Sequence, residues 1–261
     1  MIVFPNAKIN IGLNIVEQRP DGFHNIESCF YPVPWFDALE VIEAKKFSFT
    51  SSGIDIPGKG NICLKAYESL KNDFDLPPIS IHLLKNIPIG AGLGGGSADG
   101  AFMLKLLNDK FSLAISTRQL QTYASKLGSD CPFFIENKVI FVEGTGDIFS
   151  PINVDLKGLF VVIIYPQIHF ATNSAYNNIT PSGSAAELKN LLEATPVKDW
   201  LNQITNDFEK KSDGIVHQLK DQLYAQGALY TSMTGSGSAV YGLFTEAPAI
   251  ETEHPNIIAQ L

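Results

Sequence analysis

Cysteine is scarce in this 261-residue chain: only Cys29, Cys63 and Cys131 occur, widely separated and odd in number. No Cys-x-x-Cys pair is present, so neither a zinc ribbon nor a disulfide framework is encoded, and the usage points to a reducing compartment. Histidine is equally thin, with five residues scattered and no His-Glu-x-x-His. Basic charge is short as well. Lys and Arg number 19 against 27 Asp and Glu, a net charge of −8, opposite in sign to what general nucleic-acid binding needs. Small anions are not excluded, because backbone amides can hold them locally. Long apolar runs are missing too. The longest, residues 159–165, is far too short to cross a bilayer. The first eight residues lack the charged and apolar regions of a signal peptide. These absences predict a cytoplasmic protein with no nucleic-acid or membrane partner.

What is present suits a folded domain of ordinary composition. Apolar residues make up 45% of the chain and charged residues 18%, enough apolar surface to offset the entropy of ordering. Alternation and apolar content predict strands over residues 8–16, 39–44, 79–84 and 159–165. Two more, 229–233 and 239–244, flank the turn Thr234-Gly235-Ser236-Gly237. Helical spacing predicts helices over 61–74, 97–107, 117–127, 187–194 and 215–225, the second capped by Ser97. Residues 182–186 read as a loop, and Arg19-Pro20-Asp21-Gly22-Phe23-His24 as a turn. Strands and helices interleave without strict βαβ regularity, which predicts an α+β fold. The halves divide near residue 150, giving 1–150 and 151–261.

The least ordinary segment lies between a strand and a helix. It reads Pro88-Ile89-Gly90-Ala91-Gly92-Leu93-Gly94-Gly95-Gly96-Ser97-Ala98. Glycine at this density lets backbone N–H groups wrap a ligand closely. The helix that follows adds free N–H groups and the positive end of its dipole, a combination that suits phosphate. A flexible surface turn would explain the glycines but not their place between strand and helix. Gly90 to Gly95 match Gly-x-Gly-x-x-Gly, a weak pattern alone. A dinucleotide site also needs an acidic residue ending the next strand, and Asp109 follows a helix instead. A Walker loop needs a lysine before Ser97, where Gly96 stands. The protein-kinase motifs are missing.

The segment resembles the second motif of the GHMP kinases. Five further segments match in family order: Ala7-Lys8-Ile9-Asn10-Ile11-Gly12-Leu13, Arg19 to His24, Gly128-Ser129-Asp130-Cys131-Pro132-Phe133-Phe134, Asn206-Asp207-Phe208-Glu209, and Met233-Thr234-Gly235-Ser236-Gly237. The resemblance implies the GHMP kinase fold, α+β in two packed halves with the nucleotide between them. It implies ATP and Mg²⁺, with residues 88–98 as the nucleotide loop. The three-glycine loop and the Asp-Gly-Phe-His segment point to the branch that phosphorylates the 2-hydroxyl of a cytidine-diphosphate-linked methylerythritol, in non-mevalonate isoprenoid synthesis. Another GHMP kinase, such as one acting on homoserine, and an inactive nucleotide-binding module are the alternatives.

The resemblance gives Asp130 the role of base and Lys8 that of its cationic partner, able to neutralise phosphoryl charge. Taken alone, Asp130 reads as a turn cap and Lys8 as a solvated strand lysine. Asn10 falls on the same strand face as Lys8 and could bind substrate, hold Lys8 or be structural. Ser97 could cap its helix or meet Mg²⁺; no metal ligand set is evident. Phe23 and His24 are candidates for a cytosine slot, with Phe23 where the family usually has tyrosine. Tyr176 resembles the second aromatic of that slot, and an ordinary core ring explains it equally well. Oligomeric state is not encoded legibly.

Overall fold

The computed structural model describes residues 1–58, 60–170, 175–176, 179, 181, 187–212 and 214–261. The predicted loop at 182–186 lies outside them. The chain forms two compact units, neither continuous in sequence. The first comprises Met1–Ala7, Trp35–Ile89 and Gly94–Lys138; the second comprises Lys8–Pro34, Gly90–Leu93 and Val139–Leu261.

The first unit holds a four-stranded sheet: β1 (Ile2–Val3), β4 (Ala38–Glu43), β6 (Ile79–Lys85) and β5 (Ser48–Gly53), in that spatial order. Only β5 runs parallel to its neighbour. Strict alternation along β6 buries Ile79, Ile81, Leu83 and then Lys85. Four helices complete the unit: α1 (Ile62–Asp73), α2 (Gly95–Lys110), α3 (Thr117–Leu127) and α4 (Cys131–Glu136). Asn61 starts α1 by accepting from Cys63 N at 2.8 Å. Ser116 and Gln119 form a capping box at α3.

The second unit holds two sheets. One has the order β2 (Asn6–Gln18), β3 (His24–Phe36), β7 (Ile140–Glu143), β8 (Ile148–Ser150), counting each strand with the unit that holds most of it. The other is antiparallel, with the order β10 (Tyr230–Met233), β11 (Val240–Phe244), β9 (Phe160–Ile164), β12 (Asn256–Gln260). Helices α5 (Leu188–Ala194) and α6 (Gly214–Ala225) and a 3-10 turn, Asp207–Lys211, accompany them. Leu13, Ile15, Val162, Phe208, Leu223 and Val240 belong to one core cluster in this unit. The α+β expectation holds. β3 is an addition to it: Pro32 and Pro34 argue against a strand, but both are only partly buried and lie near its end.

One cross-strand pair in this unit sets a pH dependence. Ser28 pairs with Val142, so Glu27 on β3 faces Glu143 on β7. Glu27 is 6% exposed and its Oε2 has no partner. Burial first, and Glu143 second, push its carboxyl from the ordinary 4.5 up to about 7. A raised acid favours the folded state when protonated, so stability declines as pH rises from about 4.5 through about 7. Glu27→Gln keeps the shape and removes the charge. It is expected to stabilise the protein at pH 8 by roughly 1–2 kcal/mol, the shift discounted for screening, and to leave pH 4 stability nearly unchanged. Thermal unfolding of both forms across that range checks this; parallel curves would refute it.

Candidate active site

The glycine segment turns sharply before α2. Gly90, Gly92 and Gly94 have φ of 69°, 79° and 69°, in the left-handed region that glycine enters freely. Gly94 is the N-cap of α2, in left-handed conformation and with no side-chain cap bond. This corrects the expectation for Ser97. The helix starts two residues earlier than predicted because a left-handed glycine can open it. Ser97 therefore lies inside the first turn of α2 rather than ahead of it. N–H groups of a helix's first turn have no partner within the helix. A Cβ at Gly96 would meet nothing within 4 Å, so a ligand can approach the backbone there.

Residues 91–93 are stitched into the second unit by their carbonyls. Ala91 O accepts from Ala239 N at 3.1 Å and Leu93 O from Lys8 N at 2.9 Å. Gly92 O accepts from Thr234 Oγ1 at 3.1 Å. A Cβ at Gly92 would stand 2.0 Å from Thr234 O, so the approach requires glycine.

Lys8 is not a solvated strand lysine. It is 3% exposed, donates to Asn10 Oδ1 at 2.5 Å and lies 4.5 Å from the centroid of the Phe30 ring. Asn10 passes the constraint on, donating from Nδ2 to Ser28 Oγ at 2.9 Å, and Ser28 in turn donates to Gly12 O at 2.6 Å. Asn10 is thus arranged to hold Lys8 in place. Asp130, in the first unit, is half-buried at the N-cap position of α4 and makes no side-chain cap bond. Capping therefore does not explain this carboxylate.

The aromatic candidates divide. His24, buried, and Tyr176 have ring centroids 5.2 Å apart, and Tyr176 stands edge-on to Phe208 at 4.9 Å. Phe23 is 64% exposed. Thr172 to Ser174, which carried the Tyr176 alignment, lie outside the described residues. No group of three His, Cys, Asp or Glu able to hold a metal occurs among the described residues.

Comparison with known proteins decides what this geometry belongs to. The family model for the GHMP kinases N terminal domain matches residues 61–138, and that for the GHMP kinases C terminal domain matches 188–255. A 4-diphosphocytidyl-2-C-methyl-D-erythritol kinase from Cytophaga hutchinsonii is 49% identical over 98% of this chain and 96% of its own. One from Bacteroides thetaiotaomicron is 51% identical over 94% and 92%. The chain belongs to the GHMP kinase family. A crystal structure of 4-(cytidine 5'-diphospho)-2C-methyl-D-erythritol kinase superposes on this GHMP kinase with a TM-score of 0.76 and 26% identity, over 93% of this chain and 90% of that one.

Two features of this GHMP kinase went unread in the sequence. The first is the segment Asn206 to Glu209, matched as a motif but given no task. Asn206 Nδ2 donates to Met233 O at 2.9 Å and Gly235 O at 2.8 Å. Asp207 Oδ2 accepts from Ile15 N at 2.8 Å, and Glu209 Oε1 accepts from Met233 N at 2.6 Å. The motif ties the strand that carries Lys8 to the turn after β10. The second is a buried cluster in the first unit. Lys85 Nζ bonds Asp37 Oδ2 and, at 2.8 Å, Asp99 Oδ2. Asp37 Oδ1 also accepts from Asn86 N and Ile87 N at 2.6 and 2.8 Å. Burial raises the Asp99 carboxyl to about 7, against the pull of Lys85. The signal for Lys85 was its place on the inward side of the β6 alternation. No helix among the described residues is long and apolar enough to cross a membrane.

Proposed function

We propose that this chain transfers the γ-phosphoryl group of ATP to the 2-hydroxyl of 4-diphosphocytidyl-2-C-methyl-D-erythritol. The observation that carries the reading is the bond from Lys8 N to Leu93 O, which joins the phosphate loop to the buried lysine strand at the lysine itself. Relatives 49–51% identical over nearly the whole chain carry that kinase's name. In this reading residues 88–98 cradle the triphosphate, with the first-turn N–H groups of α2 facing the phosphates. Lys8, held by Asn10, neutralises charge on the transferring group. Asp130 accepts the hydroxyl proton. His24 and Tyr176 supply faces for the cytosine, and Phe23 retains an aromatic face beside them.

The residues present fit a nucleotide-borne magnesium ion. Magnesium is commonly held by phosphate oxygens and water with one or two carboxylates at most, so the lack of an acidic cage among the described residues is compatible with it. When bound, the ion neutralises phosphate charge. A division near residue 150 is part of the same proposal, supported by the two family matches falling on either side of it. So is a cytoplasmic location, supported by three free, buried cysteines.

The test is ADP release from ATP and Mg²⁺ with 4-diphosphocytidyl-2-C-methyl-D-erythritol, homoserine, mevalonate and galactose offered singly. Release with the cytidyl compound alone is expected. Release with another alcohol would discard the cytidine reading, and ATP binding without any release would discard the kinase.

A further inference from the structure

We propose that Thr234 is a positioning residue whose hydroxyl holds the phosphate loop in register with the strand that carries Lys8. The inference rests on the kinase reading above. Thr234 is fully buried, and its Oγ1 stands between two functional segments. It accepts from Asn10 N at 3.0 Å and donates to Gly92 O at 3.1 Å, with a longer contact of 3.4 Å to Asn10 Oδ1. Asn10 accepts a hydrogen bond from the Lys8 ammonium through its Oδ1. Gly92 is the loop residue whose missing side chain admits the Thr234 backbone. One oxygen thus meets the lysine's holder on one side and the loop on the other.

The surroundings give that oxygen little freedom. Asn206 bonds the carbonyls on both sides of Thr234, those of Met233 and Gly235. Thr234 N donates to Ala239 O at 2.9 Å, closing the turn between β10 and β11. The Asn10 carbonyl is held in turn by the Tyr241 hydroxyl at 3.0 Å. Neither a valine nor an alanine could reproduce the pair of bonds, whereas a serine could. Hydroxyl chemistry at this position is therefore separable from side-chain volume. In phosphoryl transfer, where catalysis is mainly placement and charge, a small shift of the loop relative to the lysine is felt in turnover before it is felt in binding.

The experiment compares wild type with Thr234→Val and Thr234→Ser, measuring kcat, both KM values, affinity for a non-hydrolysable ATP analogue, and Tm. Well below its Tm, Thr234→Val is expected to lose kcat by at least about tenfold while analogue affinity stays within about threefold. Thr234→Ser is expected to keep kcat within about threefold of wild type. Full turnover in the valine variant, or an equal loss in the serine variant, would overturn the proposal. Hydrogen exchange over residues 8–12 and 88–98 reads the same bonds without turnover. Faster exchange is expected in Thr234→Val, or in Thr234→Ala should the valine form not fold, and unchanged exchange counts against the proposal. A wild type that releases no ADP with any alcohol overturns the kinase reading instead, and the exchange result still decides the role of Thr234.

Discussion

Asp130→Ala is expected to lower kcat by roughly 10² to 10⁴, the range for removing a positioned general base, with nucleotide affinity nearly unchanged. The carboxylate is half-buried ahead of Cys131–Glu136 and makes no cap bond to that helix. The usual penalty for a lost cap, about 1 kcal/mol, attaches to a bond that is not made here. A group that acts in the chemical step lowers kcat and kcat/KM together, which separates this loss from a defect in binding. Steady-state kinetics, with analogue titration of the same preparation, make the measurement. A variant turning over at near the wild-type rate would remove Asp130 from the mechanism.

Lys85→Met is expected to cause the largest loss of stability, about 3–5 kcal/mol, the cost of leaving buried charge without its partner. Lys85 is 2% exposed, and Asp37 and Asp99 are 1% and 2% exposed. Methionine fills much the same space but leaves two carboxylates facing each other, one of which, Asp99, already has an oxygen with no partner. For a chain of this size the loss corresponds to a fall in Tm on the order of 10 °C. Asp99→Leu added to Lys85→Met removes the worst-placed charge, so the double variant should recover much of the loss. Thermal melts of the two variants decide this. Equal melts for Lys85→Met and wild type would mean the cluster carries no net stability.

The sequence conveyed local features well and long-range ones poorly, for physical reasons that differ by element. Residues 117–127 formed α3 at the predicted bounds because the capping box and apolar spacing are both local. The strand around Lys8 and the strand pair around residue 234 were equally readable from alternation and glycine. Serine's usual preference points to Ser97 as the cap, whereas a left-handed Gly94 opens the helix first. Lys85, Asp37 and Asp99 are invisible as a group: each charged residue alone reads as surface, and only the fold brings together Asp37 just ahead of β4, Lys85 at the end of β6 and Asp99 on α2. The motif from Asn206 to Glu209 is legible but its task is not, since several of its bonds reach backbone far away in sequence.

The bond between Thr234 and Gly92 spans 142 residues, and that between Asn10 and Thr234 spans 224. Contacts of such separation form late, after the entropy of closing long loops has been met. A chain growing from its N-terminus makes the glycine segment early but has nothing to set Gly92 against until β10 has been synthesised. The loop that reads most clearly in the sequence is thus among the last parts of the protein to take its final form. A nascent chain that has just completed residue 98 carries the glycine segment as letters only, and Gly92 gains its Thr234 contact only after residue 234 has been made.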